Sequence, residues 1–312
     1  MNGSRLMGIG TYRPARLVTN DDLAKRVATS DEWVRSRTGI ATRRIADTDE
    51  TIVAMGSMAA EKALAAAGID AAELDMVLLA TCTNPSQIPG SGPQIAHRLG
   101  AVRAGALDIN AGCAGFAYAL SVASDMVRVG SAQHVLVVAA ERLSDYTDWD
   151  DRSTCILLAD GAGAAVVGPA PTREIGPAVW GHDGGKASAI RVPGYGDNLF
   201  RMEGQTVFRW AITLTPTVRR ACELAGVAPS ELAGVIPHQA NLRIIDALVA
   251  GIGATNAVVA RDVVESGNTS AASIPLAFSR ILDGGQLRPG DPVLLFGFGA
   301  GLTYCGQVVR CP

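Results

Sequence analysis

The chain has 312 residues, room for two domains of about 150 residues or one large α/β unit. Hydrophobic residues make up 48% and charged residues 18%, which excludes a disordered or low-complexity chain. Its 27 basic and 30 acidic residues give a formal net charge of −3, so no nucleic-acid partner is expected and any anion site must be local.

The start, Met1-Asn2-Gly3-Ser4-Arg5, leads into a short apolar run and a turn at Pro14, without the long apolar stretch and small-residue cleavage site of an export signal. Apolar runs such as 76–80 and 135–140 are about five to six residues long, far below the roughly 20 needed to cross a bilayer. A cytoplasmic protein with no membrane insertion is expected. Six cysteines are scattered without CxxC spacing, which argues against a disulfide framework or a structural zinc site.

Three correspondences recur at one offset of 158 residues. Glu73-Leu74-Asp75-Met76-Val77-Leu78 matches Glu231-Leu232-Ala233-Gly234-Val235-Ile236, a helix end, a turn and a buried strand. Ile109-Asn110-Ala111-Gly112-Cys113-Ala114-Gly115-Phe116 aligns with Gly267-Asn268-Thr269-Ser270-Ala271-Ala272-Ser273-Ile274, small residues opening a helix in each case. His134-Val135-Leu136-Val137-Val138 aligns with Pro292-Val293-Leu294-Leu295-Phe296, again a strand. The chain therefore contains a duplication, with halves at 1–170 and 171–312. Each half reads as strand, long helix, central strand, helix, strand and an edge hairpin. The period-3.6 stretch 51–67, stopped by Gly68, predicts a helix, and its counterpart runs over about 207–225 to Gly226. Alternating strands and helices predict mostly parallel sheets covered on both faces. Gly161-Ala162-Gly163 and Gly299-Ala300-Gly301 read as turns near the end of each half, with 141–158 an insertion in the first. A dinucleotide loop at Gly297-Phe298-Gly299-Ala300-Gly301 would require a following helix; the next residues, 302–309, are strand-like.

Cys113 falls between a strand ending near Ile109 and a helix. There the dipole and free N–H groups favour thiolate, although free cysteine by itself reads more often as a packing residue. His238 follows a buried strand, at the carboxyl end where open α/β sheets hold their sites, and is otherwise readable as a surface or core histidine. Asn268, in a Gly-Asn turn before a helix, reads as a cap or as a site residue. The duplication favours the site reading, because pseudo-twofold packing brings the Cys113 and Asn268 helix starts together near His238. A nucleophile beside two hydrogen-bond donors suits thioester chemistry.

The sequence resembles the β-ketoacyl-acyl carrier protein synthase III family of the thiolase superfamily over essentially its whole length. The resemblance rests on Thr29-Ser30-Asp31-Glu32-Trp33 with Arg37-Thr38-Gly39-Ile40, Ala114-Gly115-Phe116 after Cys113, Asp160-Gly161-Ala162-Gly163-Ala164-Ala165, Pro237-His238-Gln239-Ala240-Asn241, Gly267-Asn268-Thr269-Ser270-Ala271-Ala272-Ser273 and Phe298-Gly299-Ala300-Gly301. It implies an internally duplicated, thiolase-like five-layered αβαβα fold and a homodimer. It also implies a decarboxylative condensation of an acyl-coenzyme A (acyl-CoA) primer with malonyl-acyl carrier protein, without metal or redox cofactor, initiating fatty acid or polyketide synthesis. Cys113, His238 and Asn268 are the implied catalytic set, with the N–H groups of Cys113 and Ala300 as oxyanion hole. Trp33, Arg37, Thr38, Arg152, Phe208 and Asn241 correspond to coenzyme A positions, beside an arginine cluster that also includes Arg35, Arg43 and Arg44. Arg209 and Arg243 correspond to positions for the carrier protein or its phosphopantetheine. Ile88 and Phe298 correspond to the primer pocket. Ile88 stands where many members carry phenylalanine and reach across the dimer interface, so a primer larger than acetyl is expected. The alternatives are a pathway-dedicated starter-unit synthase or acyltransferase of secondary metabolism, and a non-catalytic partner subunit.

Overall fold

The computed structural model describes residues 3–194 and 196–312; Met1 and Asn2 of the amino-terminal reading lie outside the described residues. Two five-stranded sheets carry the same order. In the first, Gly3–Tyr12, Asp160–Ala170, Val135–Arg142, Met76–Ala80 and Gly105–Ile109 lie side by side. In the second, Val179–His182, Thr303–Arg310, Pro292–Gly299, Gly234–Pro237 and Val258–Val259 repeat that sequence of neighbours. The offset of 158 holds at the level of turns: the 3-10 turns Ala71–Glu73 and Pro229–Glu231 precede equivalent strands, and Gly112–Ala114 and Ser270–Ala272 precede equivalent helices.

Alternation along each strand divides its side chains between two layers. On Val135–Arg142, Val135, Val137 and Ala139 face a central cluster, while Leu136, Val138 and Ala140 face an outer one. The central cluster joins both sheets through two helices, Gly115–Val129 with Phe116, Leu120 and Ala123, and Ser273–Asp283 with Ile274, Leu276 and Phe278. Helix Ile52–Ala67 covers the outer face of the first sheet. Thr215–Ala225 and Leu242–Ile252 cover that of the second. Helix, sheet, helix, sheet and helix make the five layers.

Three expectations change. The sheets are mixed, because the pairings between the third, second and first strands of each order are antiparallel and only the remaining two are parallel. The chain returns directly from Pro292–Gly299 to Thr303–Arg310, and a tight return can only be antiparallel; this hairpin is internal, with Val179–His182 at the edge. Gly161-Ala162-Gly163 is strand rather than turn. A Cβ on Gly163 would come within 2.6 Å of Pro275, so the missing side chain admits helix Ser273–Asp283 against the sheet. The helix expected over 207–225 is broken into Gly204–Ile212 and Thr215–Ala225. Pro216, lacking an N–H, starts the second piece, and the Thr213 hydroxyl donates back to the Trp210 carbonyl at 2.7 Å. Helix Ile52–Ala67 ends as expected, with Gly68 left-handed at φ 68°.

Candidate active site

Cys113 sits in the turn Gly112–Ala114 at the start of the central helix Gly115–Val129. The tip of the Pro292–Gly299 strand lies against it. A Cβ on Gly299 would be 2.8 Å from the Cys113 Cβ and 3.0 Å from its Sγ, so only glycine lets this backbone approach. The N–H groups of Cys113 itself and of Ala300 are near enough to the sulfur to favour its charged form. From the second half comes Ser270–Ala272, close enough that a Cβ on Gly115 would touch the Cβ of Ala271 at 3.5 Å. Asn268 precedes that turn. Its Oδ1 accepts the Ser270 N–H at 2.9 Å. Its backbone pairs with the insertion, donating to the Leu157 carbonyl at 2.8 Å and accepting from Ala159 N–H at 2.9 Å.

His238 leaves the strand Gly234–Pro237 and is buried. Its ring lies 5.3 Å from the Phe298 ring at 73°, edge to face, and its Nδ1 is 2.7 Å from the Ser273 Oγ. Ser273 Oγ also accepts the Gln239 N–H at 3.2 Å. Cys113 thus lies against the strand tip that carries Phe298, beside which His238 packs, and the turn after Asn268 lies against the helix that Cys113 opens. Phe298, buried beside His238, stands one residue before Gly299.

Charge in the site departs from the sequence expectation. Burial pushes the Cys113 thiol up to about 11; the Glu141 carboxylate adds to this, while the Ser270 hydroxyl and the two backbone N–H groups oppose it. Desolvation and a nearby carboxylate thus outweigh the favourable helix start, and the resting group is a thiol. Burial holds the His238 imidazole down to about 3, so it is neutral.

The coenzyme A positions separate into groups. Trp33 has two guanidinium groups over its ring, Arg37 at 4.8 Å and Arg152 at 4.6 Å from the centroid. Asn241 caps helix Leu242–Ile252 and donates from Nδ2 to the Arg37 carbonyl at 3.1 Å, joining this patch to the second half. Phe208 lies under Arg243 at 5.9 Å; Arg209 and Arg243 are exposed. Thr38 is buried, with its hydroxyl donating to the Val34 carbonyl and accepting the Ile40 N–H, so it shapes the end of its helix and presents no group to a ligand. The arginine cluster does not form. Arg43 and Arg44 alternate on the strand Thr42–Ile45: Arg43 turns inward to the Ile156 carbonyl at 2.8 Å, while Arg44 bonds the carbonyls of Pro14 and Ala15. Arg35 pairs with Asp31 at 2.7 Å. Of the four, only Arg37 faces Trp33.

A cavity of about 260 Å³ adjoins the Cys113 turn, lined among others by Cys82, Gly112, Tyr146, Ile190, Phe200 and Ala300. Ile88 is apart from it and 86% exposed in the single chain. The sequence reading did not single out Glu141, Cys82, Ser270 or Ser273 as site residues. Glu141 carried one signal, a lone carboxylate directly after the apolar run 135–140; the two serines lay inside a quoted motif. Among the described residues no cluster of His, Cys, Asp or Glu could hold a metal ion, and no helix is long and apolar enough to cross a membrane.

A thiol at the start of a central helix, with the tip of a strand from the other half packed against it, in a duplicated five-layered fold defines a thiolase-like condensing enzyme. Comparison with known proteins narrows the class. The family models for 3-oxoacyl-(acyl carrier protein) synthase III match residues 107–184 and, with its C-terminal part, 222–311. A β-ketoacyl-(acyl carrier protein) synthase III of Streptomyces avermitilis is 54% identical over 100% of both chains. A mycobacterial β-ketoacyl-(acyl carrier protein) synthase III of Mycolicibacterium paratuberculosis is 48% identical over 98% of this chain and 95% of its own. Among solved structures, the priming β-ketosynthase of the R1128 polyketide pathway superposes with a TM-score of 0.98 at 46% identity, covering 100% of this chain and 97% of its own. The chain belongs to the β-ketoacyl-(acyl carrier protein) synthase III family and is an acyltransferase of the condensing type.

Proposed function

We propose that Cys113 takes an acyl group from acyl-CoA and passes it to the carbon of a decarboxylated malonyl-acyl carrier protein. The observation that carries this is the backbone of Gly299 and Ala300 packed against the turn that holds Cys113, with Gly299 directly beside its sulfur. In the first stage the sulfur bonds the acyl carbon, the N–H groups of Cys113 and Ala300 stabilise the tetrahedral oxyanion, and the carbon–sulfur bond to coenzyme A breaks. In the second, malonyl loses CO2, and the electron pair of the broken carbon–carbon bond becomes an enolate. His238 and Asn268 donate hydrogen bonds to the enolate oxygen. The carbanion attacks the acyl carbon, the bond to Cys113 breaks, and a 3-oxoacyl product leaves on the carrier protein. Ser273 supports this role of His238: its hydroxyl proton directed at Nδ1 puts the imidazole proton on Nε2, making a neutral ring a donor.

Coenzyme A stacks its adenine at Trp33, with Arg37 and Arg152 near the phosphates and Phe208 and Asn241 at the tunnel mouth. Arg209 and Arg243, exposed on adjacent helices, receive the carrier protein or its phosphopantetheine. The protein works in the cytoplasm as a homodimer through the edge strand Gly105–Ile109, with Leu107 45% exposed and Ile88 completing the neighbour's primer pocket. Primers larger than acetyl, such as short branched acyl groups, fit Ile88. Priming of a polyketide is the second reading, favoured by the similarity to the R1128 enzyme.

Intact mass measured after mixing with a panel of acyl-CoA thioesters tests the assignment. One acyl adduct is expected in the wild type and none in Cys113→Ala; an adduct that persists in the variant, or none with any thioester, refutes it. Release of CO2 from malonyl-acyl carrier protein separates condensation from simple acyl transfer.

A further inference from the structure

Gln239 follows His238 in the chain and is buried, 1% exposed. A buried amide needs partners for its oxygen and its NH2 group, and this one finds them all in backbone. Its Nε2 donates to the Pro237 carbonyl at 2.7 Å and to the Ala260 carbonyl at 3.3 Å, while its Oε1 accepts the Val263 N–H at 3.1 Å. Only an amide with its nitrogen toward the two carbonyls meets this set.

These bonds continue a ladder that the backbone cannot. Gly234–Pro237 pairs in parallel with Val258–Val259, and the Val258 and Ala260 N–H groups donate to the carbonyls of Ala233 at 2.8 Å and Val235 at 3.0 Å. The next rung of a parallel ladder would run from the N–H of residue 237 to the Ala260 carbonyl, and Pro237 has no N–H. The Gln239 Nε2 takes that rung, and its Oε1 reaches one turn further, to Val263.

From Val263 the path to Asn268 is short and closed. Val263 opens the helix Val263–Ser266, and its carbonyl accepts the Gly267 N–H at 3.0 Å. Gly267 has φ 68°, and a Cβ there would lie 3.0 Å from the Cβ atoms of both Ala159 and Arg43, so the backbone is wedged against the first half just before Asn268. A shift at Val263 is therefore passed on to Asn268. The loop has a second anchor in the buried Asp262 carboxylate, held by Arg13 of the first half at 3.1 Å and by Arg280 of helix Ser273–Asp283 at 2.8 Å. With that anchor intact, loss of the Gln239 bonds displaces the loop without releasing it.

We propose that Gln239 is a positioning residue whose amide ties the loop carrying Asn268 to the turn carrying His238, so that the two donors to the enolate keep a fixed spacing. It touches no substrate and acts through Asn268. This rests on the proposed roles of His238 and Asn268 in decarboxylation.

Gln239→Met keeps the length of the side chain and makes none of the three bonds. The kcat for CO2 release from malonyl-acyl carrier protein should fall about ten-fold or more, with KM unchanged, while acylation of Cys113 by acyl-CoA, read by intact mass, keeps its rate. Gln239→Glu, which keeps the shape but puts an acceptor where two donors were, should show the same split. In an Asn268→Ala background Gln239→Met should cost no more than about two-fold, because the donor it places is gone. Hydrogen exchange over residues 263–268 should quicken about ten-fold in Gln239→Met as the loop loosens. Undiminished CO2 release in both variants, acylation and CO2 release falling together, or the same fold-loss with and without Asn268 overturns the proposal. Unchanged exchange overturns the tie between Gln239 and the loop whatever the reaction. A wild type that acylates Cys113 but releases no CO2 would instead overturn the decarboxylating roles of His238 and Asn268.

Discussion

In the proposed reaction His238 serves the enolate as a neutral donor, and two features of its surroundings favour that form. Burial removes the charged form, and the Ser273 hydroxyl occupies Nδ1 at 2.7 Å. Replacing Ser273 by alanine leaves Nδ1 and the Gln239 N–H without that partner, so the ring loses its tautomer and orientation. Release of CO2 from malonyl-acyl carrier protein should fall roughly 10- to 100-fold, while acylation of Cys113, read by mass, should keep its rate because the oxyanion site does not involve Ser273. Equal loss in both steps would assign Ser273 to packing. The same separation applies at the entrance: Trp33→Ala removes the surface that both Arg37 and Arg152 cover. The KM for acyl-CoA is expected to rise about ten-fold, the size of 1–2 kcal/mol of lost stacking, with little change in kcat.

At the scale of elements, the site depends on how closely helices and strand tips approach one another. Gly163 lies under Pro275 in the helix that begins with Ser273. Gly163→Ala places a Cβ 2.6 Å from Pro275 Cγ and should lower stability by about 1–3 kcal/mol through overpacking, with CO2 release impaired because the helix carrying Ser273 is displaced. Thermal melting and that assay check the two effects; an unchanged melting temperature would mean the helix shifts at no cost. Much of this level was legible in the sequence, because a repeat at constant offset transmits turn chemistry directly: Gly68 and Gly226 end equivalent helices and Gly112 and Ser270 hold equivalent φ values. The break before Pro216 was masked by apolar spacing that continues through it. Gly161-Ala162-Gly163 misled because glycine serves close packing as well as turns. Neither the inward turn of Arg43 nor the meeting of Glu141 with Ser270, 129 residues apart, has a local signature, since both depend on which segments the tertiary fold brings into contact.

For the whole molecule, the buried site makes acid stability a test of the electrostatics. His238 binds its proton near pH 3 when folded and near 6.5 when unfolded, so between those values the unfolded chain binds more protons and stability falls as pH falls. From pH 6.5 to 5 the loss from this group is about 2 kcal/mol, at 1.36 kcal/mol per unit. Glu141 and Asp160 act in the opposite sense. Burial raises both carboxyl groups, so just above their ordinary values the folded chain holds protons that the unfolded chain has released, and stability rises as pH falls through that range. The wild-type curve therefore mixes both signs, and the histidine must be read by difference. His238→Asn keeps a polar group of similar reach without a titrating nitrogen. The stability of the wild type relative to this variant, from urea unfolding at each pH, should decline by about 2 kcal/mol between pH 7 and 5. A constant difference would mean that His238 titrates alike in both states, and that the imidazole reaches the enolate from a solvated pocket instead of a dry one.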